Sequence, residues 1–432
     1  MPKSPEADVR KAPAAERRIV ALVAAVQFIN VLDFVIVMPL GPDFAAGLQI
    51  PTASVGWIAA SYTMSAAVVG AAGSFFLDKF DRRRALTVAL SGLVFSTMCC
   101  GLSTGLGSLI ATRVLAGLFG GPATALALAR VTDSVPVERR GRALGIVMTA
   151  FSVASVLGVP TGLEIARLWG WRSAFFAVAV LGAVVTAFAA AWMPRGELTP
   201  EPDAELPASF RTTDLGEPAG RARALRWLDG AAGYSLAATF FVTVGVFAVV
   251  PNLSAYVQHN LGYPRSAIGF LYFAGGIANF VTLRLTGPLV DRVGSAPVFA
   301  GGVVLHSLAL WMGLITPDWG APVVAFFISY MVSGGMRMVA LSTLSTRVPY
   351  AGQRARFMSA QSAVRHTGSA VGSACGAALL ISLPDGNLDG MIQVGWVALA
   401  LAWISLPLLT SVESRVRRRR PLVAQPAINA AK

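Results

Sequence analysis

Apolar residues run along this chain in long blocks rather than in alternation with polar ones. Stretches of about 20 apolar residues, the length that crosses a bilayer core as a helix, predict twelve spans. They cover residues 19–41, 55–77, 85–106, 109–131, 143–166, 173–193, 229–251, 266–288, 296–316, 321–345, 356–381 and 391–411. Most polar breaks between them are short. The exception runs from Pro194 to Trp227 and is rich in Pro, Glu, Asp and Arg, with little apolar periodicity, so it reads as a linker. The chain is therefore read as an N-terminal tail (1–18), a six-helix bundle (19–193), a cytoplasmic linker (194–228), a second six-helix bundle (229–411) and a basic tail (412–432). The halves echo each other at a fixed offset: Asp78 precedes Asp291, and Val135-Pro136 precedes Val348-Pro349, by 213 residues. These features predict an all-α membrane protein with 12 transmembrane helices in two pseudo-symmetric six-helix halves around a central cavity.

Composition supports lipid as the main solvent, with 55% hydrophobic and only 13% charged residues among 432 and a mean hydropathy of +0.64. A net charge of +13 would suggest nucleic acid in a soluble protein. Here the arginines cluster between apolar runs and at both ends, so no nucleic-acid partner is expected. An inside N-terminus puts about 27 of the 35 Lys and Arg residues in cytoplasmic segments, about 3 outside and about 5 in the helices. The expected location is a bacterial-type inner membrane, multi-pass, with both termini cytoplasmic and Arg415, Arg417, Arg418, Arg419 and Arg420 meeting anionic headgroups. The polar, basic N-terminus is not expected to be a cleaved signal peptide. Cys99, Cys100 and Cys375 show no CxxC spacing and read as small packing residues.

Ionisable residues within apolar spans are costly, which marks each as a functional candidate. Asp33 is the sharpest. Gln27, Asn30 and Asp33 recur every three residues, which aligns them in one polar stripe on the first helix, expected to face the cavity. Desolvation would favour the neutral form of this carboxylate and a cation such as Arg113 its charged form, so its protonation could follow the opening of the cavity. The plainer alternative is a fixed Asp33–Arg113 pair fastening two helices. Glu164, at the outer end of the fifth span, is a second, weaker titrating candidate. In the second half Arg284, Arg337, Arg365 and His366 lie in or near apolar spans without a mid-span acid, so they either snorkel or meet an anionic group. Arg337 and Arg365 are the better substrate candidates, joined by Asn252 and Tyr256 as polar and aromatic contacts. His306 reads as a lipid-side or packing histidine without charged company.

Between the second and third spans, Gly73, Asp78, Arg82 and Arg83 resemble the loop signature of the major facilitator superfamily, with Asp81 where that signature has glycine. An echo follows the eighth span at Gly287, Asp291, Arg292 and Gly294. Arg113 in ATRVLAGLFGG is similar to the fourth-helix arginine of that family's exporters. Gly158, Pro160 and Gly162 resemble their fifth-helix antiporter motif, with Val159 inserted between glycine and proline, and Gly170-Trp171-Arg172 follows as in many of them. The resemblance implies the major facilitator fold, a latch built on Asp78 with Arg82 and Asp133 that loosens as the halves rock, and a bending helix at the interface along which they separate.

Phosphate loops, metal-ligand spacings, hydrolase elbows and dinucleotide fingerprints are absent from the sequence, so neither an enzyme nor a primary pump is indicated. No cofactor is expected, the proton gradient being the energy source. The expected function is proton-coupled efflux of a small organic molecule or drug, amphipathic or anionic, by alternating access in a monomer. The alternatives are an uptake symporter or uniporter for an anionic metabolite and, far behind, a non-transporting receptor or scaffold.

Overall fold

Apolar blocks in lipid find no water for their backbone groups, so each closes its hydrogen bonds within a helix. The computed structural model describes residues 14–73, 81–193, 230–317, 320, 322–349 and 354–419. In chain order the helices are α1 (Ala14–Ile36), α2 (Gly41–Leu48), α3 (Val55–Gly73), α4 (Arg82–Gly101), α5 (Leu106–Ser134), α6 (Val137–Val153), α7 (Val159–Trp169), α8 (Trp171–Trp192), α9 (Ala231–His259), α10 (Ile268–Val293), α11 (Ser295–Leu310), α12 (Val323–Thr346), α13 (Arg354–Leu379) and α14 (Met391–Arg419). A two-residue hairpin, β1 (Ile381–Ser382) with β2 (Leu388–Asp389), links the last two. Eleven spans among the described residues are long and apolar enough to cross a bilayer. The remaining long helix, α13, has 26 residues and falls short in composition, since arginines crowd its start and Ser, Gly, Thr and His dilute its apolar residues further on.

The described helices divide into two compact units. The first holds α1, α2, α3 from Ser61, α4 to α8 and Ile268–Phe273; the second holds Pro51–Ala60 and the chain from Ala274 onward with α9. Each has its own apolar core, around Val23, Leu90, Ala127 and Val147 in the first and Phe299, Leu344, Phe357 and Leu409 in the second. The 213-residue repeat is structural as well: it separates the first residues of α3 and α10, and those of α4 and α11.

Three predicted boundaries shift, each for a local reason. The first span breaks after Ile36 into a turn at Val37–Leu40, because Pro39 lacks an amide hydrogen, and Pro42 then opens α2 near its first residue. The fifth span is continuous but passes through a π-helical turn at Ala154–Gly158 just before Pro160, which absorbs the hydrogen bond that proline cannot donate. The last helix runs to Arg419 rather than 411 because Glu413 ties its end to α11: the buried carboxylate accepts from the Ala296 amide (2.6 Å) and from Arg417 (2.7 Å). Gly294, at φ 98°, sits against both of these side chains, so a residue with a Cβ is excluded twice.

Asp81, the departure from the loop signature, is accommodated without a left-handed turn. Its φ is −54°, and its carboxylate caps α4 by accepting from the Arg84 amide (2.8 Å). Asp78 and the predicted linker 194–228 lie outside the described residues, as do residues 1–13 and 420–432 of the tails.

Glycines set the close helix contacts in both units. Gly158 and Gly162 on the fifth span face Leu32 and Ile36 of α1, and Gly372 and Gly376 of α13 face the backbone of Val244 and Ala248 on α9. The two sets match through the repeat to within one residue. A Cβ at Gly372 would lie 3.0 Å from the Val244 Cα, and at Gly376 the neighbour is backbone that cannot turn aside. Gly376→Leu is expected to push α9 and α13 apart and lower stability by about 1–3 kcal/mol or more, read as a fall in the unfolding midpoint of the purified protein in detergent.

Candidate functional site

The polar stripe of α1 turns toward α4 and α5 inside the first unit. Asp33 is 0% exposed and Arg113 of α5 is 1% exposed. The guanidinium grips the carboxylate with Nη2 to Oδ1 at 3.1 Å and Nη1 to Oδ2 at 3.2 Å, and Nη1 also reaches the Asp33 backbone oxygen at 3.2 Å. Thr97 of α4 donates its hydroxyl to Asp33 Oδ1 at 2.6 Å. On the other edge of the guanidinium, Nε and Nη2 meet Cys100 Sγ at 3.1 and 2.9 Å. Tyr62 and Phe175 lie against the arginine, their ring centroids 5.8 and 5.6 Å from its Cζ. An arginine and a carboxylate are thus held bidentately in a dry setting, where charge-assisted bonds are strong.

Asn30, one turn back, donates to the Gly120 oxygen (2.8 Å) and to Thr124, and accepts from the Tyr62 hydroxyl (3.2 Å). Gln27 is also buried, and its Oε1 has no hydrogen-bond partner among the described residues. The same α1 segment packs through Leu32 and Ile36 on Gly158 and Gly162. The fifth-span motif, with its π turn and Pro160, is therefore in direct contact with the two turns of α1 that carry Asp33.

Sequence reasoning took Arg113 as the partner of Asp33, and the structure places them together. It missed Thr97, Tyr62 and the role of Cys100, which is an acceptor for Arg113 rather than mere packing. The available signal was the three-residue step from Thr97 to Cys100, which puts both on one face of α4. Thr97→Val removes a hydrogen bond to a charged group and is expected to cost about 1.5–3 kcal/mol, measured as a lowered unfolding midpoint.

Other candidates fall elsewhere. Glu164 is 51% exposed and paired with Arg167 three residues on, Nε to Oε2 at 2.9 Å. Asp133 is exposed at the end of α5. Gly73 closes α3 and Arg82 opens α4. In the echo of the loop signature Gly287 has open space around it, Asp291 pairs with Arg347 at 3.3 Å, and Arg292 is exposed. Asn252 is fully buried on α9 with neither amide atom bonded, while the Tyr256 hydroxyl donates to the Gly313 oxygen at 2.8 Å. Arg365 is exposed on α13 and Arg284 lies over Phe280. Arg337 is buried on α12 beside α11, and its neighbour there is His306, which corrects the expectation that this histidine lacks charged company.

The repeat supplies an internal comparison. The residues 213 positions after Asp33, Thr97, Cys100 and Arg113 are Val246, Leu310, Gly313 and Phe326. The geometry is conserved in outline, since the Phe326 ring covers Gly313 as Arg113 covers Cys100. The positions that carry the ion pair and its neighbours in the first half thus carry apolar residues in the second.

Comparison with known proteins agrees with this duplicated architecture. Among relatives, a chloramphenicol resistance protein of Streptomyces lividans is 25% identical over 375 residues, covering 86% of this chain and 91% of the relative. The multidrug resistance protein Stp of Mycobacterium tuberculosis is 23% identical over 411 residues, covering 85% and 76%. An uncharacterized MFS-type transporter of the same species is 34% identical over 164 residues, and the match spans 28% of that longer protein. Among solved structures, a D-xylose-proton symporter aligns with a TM-score of 0.72 at 16% identity, covering 93% of this chain and 98% of the other. The nucleoside transporter NupG aligns at 0.71 and 12%, covering 92% and 99%. At such identities these structures share the fold alone. The family model for the Major Facilitator Superfamily matches residues 23–235 and again residues 235–429. With two successive matches spanning both six-helix segments, the chain belongs to the major facilitator superfamily of membrane transporters.

Proposed function

We propose that this transporter is a proton-coupled exporter of small organic molecules, in which Asp33 holds either Arg113 or a proton. The observation that supports this reading most directly is the asymmetry of the repeat. If the crossing of α1, α4 and α5 needed only to be fastened, it could do without an ion pair, as the sister half does with Val246, Leu310, Gly313 and Phe326 at the equivalent positions. Well-packed hydrocarbon commonly equals or betters a buried ion pair in stability, so retaining a desolvated pair in one half alone points to a use for its charge. The contact of Gly158 and Gly162 with α1 supplies the mechanical link: a bend at the π turn moves the α1 segment that carries the carboxylate.

Export is favoured by the fifth-span motif and by the relatives named for chloramphenicol and multidrug resistance. The direct test uses proteoliposomes with a pH-sensitive dye inside and a preformed proton gradient. Substrate taken from a drug and metabolite panel, chosen by its stabilisation of the purified protein, is expected to drive proton movement opposite to its own. Proton movement in the same direction would replace export with symport, and its absence with every ligand that binds would leave no coupling. A second reading, uptake of an anionic metabolite, is supported by Arg337, whose charge has no acidic partner among the described residues.

A further inference from the structure

Arg337 is the largest buried cation of the second unit, 2% exposed, and no carboxylate among the described residues lies within ion-pair reach of it. Its Nε and Nη2 atoms are buried, and no atom of the described residues accepts from either. These two nitrogens share one edge of the planar guanidinium, the edge that presents two parallel N–H groups. Its surroundings are built and specific. Arg337 and Ser333 lie one turn apart on α12, against Gly302 and His306, one turn apart on α11. His306 Nδ1 and Ser333 Oγ are hydrogen-bonded at 3.1 Å, and the Tyr330 ring packs against the imidazole at 5.1 Å with the planes tilted by 41°. The Ser333 hydroxyl also lies 2.8 Å from the Tyr330 backbone oxygen, and His306 Nε2, likewise buried, has no hydrogen-bond partner among the described residues. Gly302 makes room, since a Cβ there would come within 2.8 Å of Arg337 Cγ.

A desolvated charge with two unmet donors is among the costliest things a protein interior can contain, and the remedy is an acceptor of matching shape. We propose that the Nε–Nη2 edge of Arg337 is a binding site for a carboxylate, buried between α11 and α12 within the second unit. Two carboxylate oxygens match two parallel N–H groups, and one negative charge balances one positive. Chloride offers a single acceptor point, and a dianionic phosphate would leave a further charge desolvated. The proposal concerns a different unit from Asp33 and stands whether or not that residue carries a proton.

Isotope-labelled formate, the smallest carboxylate, tests this with the purified full-length chain. Saturable binding of about one formate per chain is expected, together with a rise in unfolding midpoint that chloride at equal ionic strength does not produce, as mass action requires of a ligand specific for the folded state. Arg337→Met is expected to abolish both effects. Arg337→Lys, which keeps the charge but lacks the fork, is expected to bind at least about tenfold more weakly. Gly302→Ala, which displaces the side chain while leaving Arg337 in place, should weaken binding as well. If Arg337→Met does not fold, the lysine and Gly302 variants decide the matter against the wild type. Absence of saturable formate binding in the wild type, equal effects of chloride and formate, or a lysine variant that binds formate as tightly as the wild type would each overturn the assignment.

Discussion

Asp33→Asn is expected to reduce substrate-driven proton movement in proteoliposomes to the background of empty liposomes, while substrate binding remains measurable by thermal shift. The amide keeps the shape of the carboxylate and can still accept from Arg113, but it can no longer gain and lose a proton in the working range. It also leaves a guanidinium that is 1% exposed without its counter-charge. Breaking a buried pair from one side costs about 3–5 kcal/mol, so the unfolding midpoint should drop as well. Proton movement equal to that of the wild type would remove Asp33 from the mechanism. Arg113→Met should fall further in stability than a typical core substitution for the complementary reason, leaving a carboxylate that keeps the Thr97 hydroxyl as a donor.

A second variant separates coupling from folding. Asp33→Val combined with Arg113→Phe copies into the first half the residues found at the equivalent positions of the second, Val246 and Phe326. Replacing both members of a buried pair removes the uncompensated charge, and such exchanges are often neutral or stabilising by 1–4 kcal/mol. The double variant is therefore expected to be at least as stable as either single variant, by about 3–5 kcal/mol if the crossing repacks as Phe326 does over Gly313, and yet to couple no protons to substrate. Because Cys100 stands where the second half has Gly313, adding Cys100→Gly should complete the repacking by giving the ring its space. A double variant no more stable than Asp33→Asn would mean that the pair is an irreplaceable fastening. A double variant that still exchanges protons for substrate would place coupling elsewhere.

Much of this protein was legible from its sequence because a bilayer imposes a simple rule. Backbone groups in lipid must be satisfied locally, so every apolar block of sufficient length becomes a helix, and the 213-residue echo of Asp78 and Asp291 reveals the duplication. Charge in such blocks is rare enough that Asp33 and Arg113 stand out in the sequence, and their opposite signs mark them as partners. Local chemistry likewise marks Gly158 and Gly162 as sites of close packing, which the structure has against Leu32 and Ile36, and Pro160 as a break in the regular helix, which it has as a π turn. Span ends were less legible where a proline or a distant partner decided them. Pro39 stops α1 early, and Glu413 prolongs α14 only because Ala296 and Arg417 converge on it.

What a sequence determines is which segments are helical and which residues are expensive to bury; it does not determine which side chains meet. Thr97 and Cys100 look like ordinary small residues of an apolar helix, and only the crossing of α4 with α1 and α5 makes one a donor to Asp33 and the other an acceptor for Arg113. The same holds for Arg337 and Arg365, indistinguishable as arginines in apolar surroundings until packing exposes the second and seals the first beside His306. Helix formation depends on neighbours a few residues away, whereas the fate of a charge depends on which atoms, far apart in the chain, close around it.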